Sequence, residues 1–174
     1  MAESTEPNAL DVSFGKGVLI AVGVLSVIIS WIVFGNLVLG LGNPWVGLVA
    51  LTTFGAAYQN NLDDAPKVWV GSAVALLIGW LLWYVPELTG SPAGALVGLL
   101  LIVFALGAFI AQKFPLVCNF GMFMMLTVST ASMQIMDEQR HLHYFGDLAY
   151  GAVCFWLLPW AIVRLRSRMA AASA

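Results

Sequence analysis

Six apolar stretches, at about residues 17–35, 44–59, 68–85, 93–112, 116–136 and 145–163, limit what this chain can fold into more than any other feature. None carries a charge near its centre. A run of about 18 to 20 such residues crosses the roughly 30 Å hydrocarbon layer as a helix. Composition supports that reading. With 61% hydrophobic and 9% charged residues and a mean hydropathy of +0.92, a chain of 174 residues has too little polar surface to cover a soluble globule. The sequence predicts an all-α membrane protein with the lipid bilayer as its solvent.

The connections are short, polar and turn-rich, at 60–67, 86–92, 112–115 and 137–143. Residues 1–16 read as a flexible polar tail, 17–165 as one membrane domain with halves at about 17–86 and 93–163, and 166–174 as a C-terminal cytoplasmic tail. The N-terminal segment lacks the basic start and apolar core of a signal peptide, so the first span is expected to remain in the product. Six spans place both tails on one side with the loops at 60–67 and 112–115. That side receives Lys16, Lys67, Lys113, Arg164, Arg166 and Arg168, and the other only Arg140. By the positive-inside rule both termini are cytoplasmic.

The two halves resemble each other weakly. Gly17-Val-Leu-Ile aligns with Gly94-Ala-Leu-Val, Asn43 with Asn119, Gly47 with Gly121, Thr53 with Thr127, Gln59 with Gln134, Gly71 with Gly146, and Trp80 with Trp156. Each half holds three spans, so the copies enter the membrane from opposite sides, as a 3+3 inverted repeat. Transporters and channels built this way place the solute site where paired helices meet, here spans two and five. Asn43 followed by Pro44, and Asn119, read as the caps of those two helices.

The fifth span is the most unusual, with Thr127, Ser129, Thr130, Ser132 and Gln134 in an otherwise apolar helix. Thr127, Thr130 and Gln134 share one side at i, i+3 and i+7. With Asn43, Thr53, Ala56, Gln59 and Asn119 they form the expected lining of a solute path. The alternative is close helix packing, with each hydroxyl bonded back to its own backbone. His141 and His143 in an outer loop are candidates for sensing external acidity.

Other chemistry is not expected. The chain has no G-x-S-x-G, no H-E-x-x-H and no carboxylate pair with a histidine on one face, so no catalytic residue and no enzyme is foreseen. Cys118 and Cys154 read as small apolar residues, and Met122, Met124, Met125, Met133 and Met136 as packing or lipid-facing side chains, with no metal or other cofactor. A net charge of -2 excludes an electrostatic footprint for nucleic acid. Asp147 is expected at the outer interface, and Pro159 to kink the last span.

The small-residue-rich second span, Lys67 leading into VWVGSAVALLIGWLLW, and Phe114-Pro115 before an Asn/Gly-containing fifth span resemble the YcdZ-like family of small bacterial inner-membrane proteins of unknown function. That resemblance implies a multi-pass protein of the bacterial inner membrane and carries no substrate or site residue with it. From the residues themselves, the expectation is a channel or facilitator for a small polar, largely neutral solute. Homo-oligomers are expected to form through Gly17, Gly23, Gly94 and Gly98. A non-transporting membrane subunit or sensor and an ion-coupled secondary transporter are the alternatives.

Overall fold

The computed structural model describes residues 14–41, 45–90, 92–131 and 141–172. Asn43, Pro44, Ser132, Gln134, Met133, Met136 and the loop at 137–140 lie outside the described residues, as does the side chain of His141. Among the described residues every regular element is helical. The chain divides into two compact units, Met1–Gly40 and Leu41–Ala174.

In the first unit, α1 runs Phe14–Leu37, 24 residues or about 36 Å, long enough to cross a bilayer. Val18, Leu19, Ile20, Val22, Leu25 and Val33 are exposed along it. Gly17 and Gly23 have open space where a Cβ would stand.

The second unit holds α2 (Trp45–Tyr58), α3 (Ala65–Thr89), α4 (Pro92–Ile110), α5 (Phe120–Ala131), α6 (His141–Ala152) and α7 (Leu158–Ala172). Three helical stretches are long and apolar enough to span a membrane: Phe14–Leu37, Ala65–Thr89 and His143–Ala171. The α2 helix has 14 residues and rises about 21 Å, short of the hydrocarbon thickness.

Helix boundaries follow local chemistry and move several expected ones. The α2 helix ends where Gln59 and Asn60 turn left-handed, at φ 50° and 58°, and the Asn60 N–H closes back on the Phe54 carbonyl at 3.3 Å. Pro66 suits the first turn of α3, which therefore takes in Lys67. At its other end α3 continues through Pro86 to Thr89, and Gly90, left-handed at φ 56°, stops it by donating its N–H to the Pro86 carbonyl. The connection expected at 86–92 thus shrinks to a tight helical hairpin. Residues 116–119 are turn rather than helix, so α5 starts at Phe120.

The expected disturbance at Pro159 is a π-helical turn, Val153–Leu157, joining α6 to α7. Proline cannot donate to the carbonyl four residues back, and that residue, Phe155, lies inside the widened turn.

α3 is the hub of the second unit, packed by α5, α4, α6 and α2. The helices alternate in direction. Asn119, just before α5, bonds the Lys67 carbonyl in the first turn of α3, so these two helices start at one end. The rings of Trp45 and Tyr144 meet edge-on at 5.5 Å, so α2 and α6 start together. Burial concentrates on Val46, Ala50, Phe54, Val68, Trp69, Ala75, Leu76, Met122, Met125, Leu126 and Leu148.

Gly94 and Gly98 face α3 within the same chain. A Cβ on Gly94 would lie 2.8 Å from Pro86 Cα, and one on Gly98 would strike the Leu82 side chain. They are therefore used inside the protomer and are not free to dock a neighbouring copy, as the sequence had suggested. Cys118 is buried, Cys154 is partly buried, and neither is in a disulfide.

Candidate functional site

Two faces of α3 carry the polar chemistry of the core. The first meets α5. Asn119 is the N-cap of that helix: its side-chain oxygen accepts the Met122 N–H at 3.1 Å, satisfying one of the donors that every helix start leaves open. Its amide nitrogen donates to the carbonyls of Lys67 at 2.7 Å, Leu116 at 2.9 Å and Pro115 at 3.2 Å. Only glycines permit this approach. A Cβ on Gly71 would overlap the Asn119 amide, and one on Gly121 would lie 2.9 Å from Val68 Cα. Close backbone contact through small residues is a common way for helices to associate in lipid.

The hydroxyls of α2 and α5 are satisfied within their own helices. Thr53 Oγ1 donates to the Val49 carbonyl at 2.8 Å, Thr127 to Phe123 at 2.8 Å, Thr130 to Leu126 at 2.6 Å, and Ser129 to Met125 at 2.5 Å. Of the residues expected to line a path, Thr53 and Asn119 are buried, while Ala56, Gln59, Thr127 and Thr130 are exposed. The inward face of α5 is instead Gly121, Met122, Met125, Leu126 and Ser129. Thr53 and Thr127, paired by the internal likeness, thus take opposite exposures. Among the described residues the expected lining divides between buried and exposed positions, and Asn43 and Gln134 lie outside the described residues. His143 is exposed on the first turn of α6.

The second face of α3 meets α6, and its polar groups are arranged differently. Along α6 the buried positions are Tyr144, Asp147, Leu148 and Gly151. Gly151 lets three elements converge: a Cβ there would lie 3.1 Å from Gly47 Cα on α2 and 3.2 Å from the Trp69 ring on α3. One turn earlier on the same side stands Asp147, 1% exposed, with neither carboxyl oxygen bonded to any group among the described residues. Ser72, also 1% exposed, and the Trp69 indole N–H likewise have no partner. Burying a neutral polar group unbonded costs about 1–3 kcal/mol by mutational measures, and an isolated charge far more.

Sequence reasoning placed Asp147 at the membrane interface by counting back from Arg164. Its burial within the helix bundle was missed. A usable signal was present: Tyr144, Asp147, Leu148 and Gly151 fall at helical spacing, and the glycine marks a close approach.

Outside the core, Lys67 pairs with Asp64 at 2.5 Å, and the Asn61 amide donates to the other Asp64 oxygen at 2.9 Å. The Lys67 hydrogen bond holds the Asp64 carboxyl below its ordinary range. On α7 the Arg164 guanidinium lies 4.8 Å from the centre of the Trp160 ring, a cation–π contact. Among the described residues no three His, Cys, Asp or Glu side chains gather to hold a metal ion. No family model, curated protein or solved structure matches the chain.

Proposed function

We propose that the chain is a multi-pass protein of the bacterial inner membrane, six spans in a 3+3 inverted repeat with both termini cytoplasmic, that passes a small polar solute. The alternation of α2 through α6 supports the span order, and Lys67 in the first turn of α3, with Lys113 in the connection before α5 at the same end, supports the orientation. The YcdZ-like resemblance supports the location. The observation that carries the transport reading is the seam of α6 with α2 and α3. Asp147 on α6, and Trp69 and Ser72 on α3, hold buried hydrogen-bonding groups to which no described residue bonds. Polar groups kept in a membrane interior at such cost mark solute or ion pathways. The path therefore follows this seam and not the hydroxyls of α5. The open faces at Gly17 and Gly23 are the surfaces by which copies associate into a homo-oligomer.

Flux into proteoliposomes tests the proposal with glycerol, urea and a neutral amino acid as probes. The expected result is flux of at least one above protein-free vesicles, lost with Ser72→Val plus Trp69→Phe and kept with Thr127→Val plus Thr130→Val. No flux of any probe, or loss with the threonine pair alone, overturns it.

One further observation favours the non-transporting alternative. The hydroxyls of Thr53, Thr127, Ser129 and Thr130 are closed on their own helices and suit packing. A membrane subunit of that kind shows altered oligomer size in the threonine variants and no flux to lose.

A further inference from the structure

We propose that Asp147 is a proton-binding site, taking up and releasing H+ as the seam between α6, α2 and α3 closes and opens. The role in coupling rests on the transport reading above; the proton site itself does not. Asp147 is 1% exposed and neither of its oxygens has a partner among the described residues. Among the described residues no cation compensates it from the elements packed on α6, the His141 side chain lying outside them. The only titratable side chain on α2 is Tyr58, at the helix's far end. On α3, Lys67 is engaged by Asp64, Tyr84 stacks on Trp80 at 4.7 Å, and Glu87 is exposed. The π turn offers only Cys154. On α6 itself His143 is exposed, Tyr144 packs on Trp45, and Tyr150 is partly buried.

A bare carboxylate in such surroundings costs far more than the neutral acid, which costs only what an unbonded hydroxyl does. The closed seam therefore holds the acid form. A metal ion would need further ligands, and no group of three exists among the described residues.

When the helices part and water reaches the group, the carboxyl O–H bond breaks. The electron pair stays on the carboxylate and the proton passes to water; closure requires the reverse. A solute whose passage opens the seam is then moved with linked proton exchange, which makes the transport ion-coupled.

Infrared spectroscopy of the full chain in detergent, with no solute, tests the site. The expected spectrum at neutral pH contains the C=O stretch of a protonated carboxyl, shifted in D2O, absent from Asp147→Asn and retained in Asp64→Asn. Should Asp147→Asn fail to fold, Asp147→Glu is expected to keep the band at a changed frequency. Absence of the band from the native chain, its persistence in Asp147→Asn, or an unchanged frequency in Asp147→Glu overturns the proposal. The band present in a protein that carries no flux sinks the transport reading alone. In vesicles that do show flux, an imposed pH gradient is expected to change the native rate several-fold and to leave Asp147→Asn unmoved. Equal responses overturn the coupling.

Discussion

The two faces of α3 are built from similar materials and settle their polar groups in opposite ways. Toward α5, Gly71 and Gly121 bring backbones together, and the one buried amide, Asn119, has each of its polar atoms bonded. Toward α6, glycines again permit close approach, yet Trp69 and Asp147 have no partner among the described residues, nor has Ser72 on α3. A satisfied buried network fixes structure, and an unsatisfied one is tolerated where something else is to be bound. The first face is a closed joint, and the second is where we propose that the site lies.

Substitution at the joint has the largest expected effect. Gly71→Val or Gly121→Val drives a side chain into Asn119 or the α3 backbone and lowers stability by about 3 kcal/mol, measured as unfolding in mixed detergents. Asn119→Ala removes a cap and leaves several carbonyls without their donor, for a loss of about 2 kcal/mol in the same assay. At the site the sign reverses. Asp147→Leu replaces an unbonded acid by an apolar side chain and is expected to raise stability by about 1–3 kcal/mol, while proton exchange and any flux disappear. A fall in stability there would mean that Asp147 is bonded in the folded protein, and the contrast between the faces would be lost. Thr127→Val with Thr130→Val, on the exposed side of α5, should stay within about 0.5 kcal/mol of the native protein.

The smallest expected effect is at the start of α3. The Asp64 carboxyl is depressed by Lys67, so the stability it adds is present above the ordinary carboxylate range and lost as pH falls through its depressed folded value. Amide hydrogen exchange in the first turn of α3 should quicken over that window, and Asp64→Asn should abolish the dependence. Because the pair is exposed, no change in global unfolding is expected.

Much of the scaffold is legible from residues alone. Asn119 reads as a cap, Pro159 as a disturbance of the last helix, and the apolar stretches as helices. Each of these depends on neighbours a few residues away. The inward faces of the helices were not legible. Thr127 and Thr130 share a side at helical spacing, which is correct, but spacing does not say which side turns inward. In a soluble protein polarity would decide that question. In a membrane helix it does not, because a hydroxyl bonded to its own i−4 carbonyl can face lipid as readily as protein.

What the sequence determined by itself is the apolar solvent the chain demands, its helical elements and several of their ends, since these follow from composition and local hydrogen bonding. What only the tertiary structure decided is that Gly94 and Gly98 serve α3, that α5 presents methionines rather than threonines to the core, and that Asp147 is enclosed without a partner. Those outcomes depend on which helix faces meet, and in a chain apolar on nearly every face that choice is made by the fit of small residues against distant backbone.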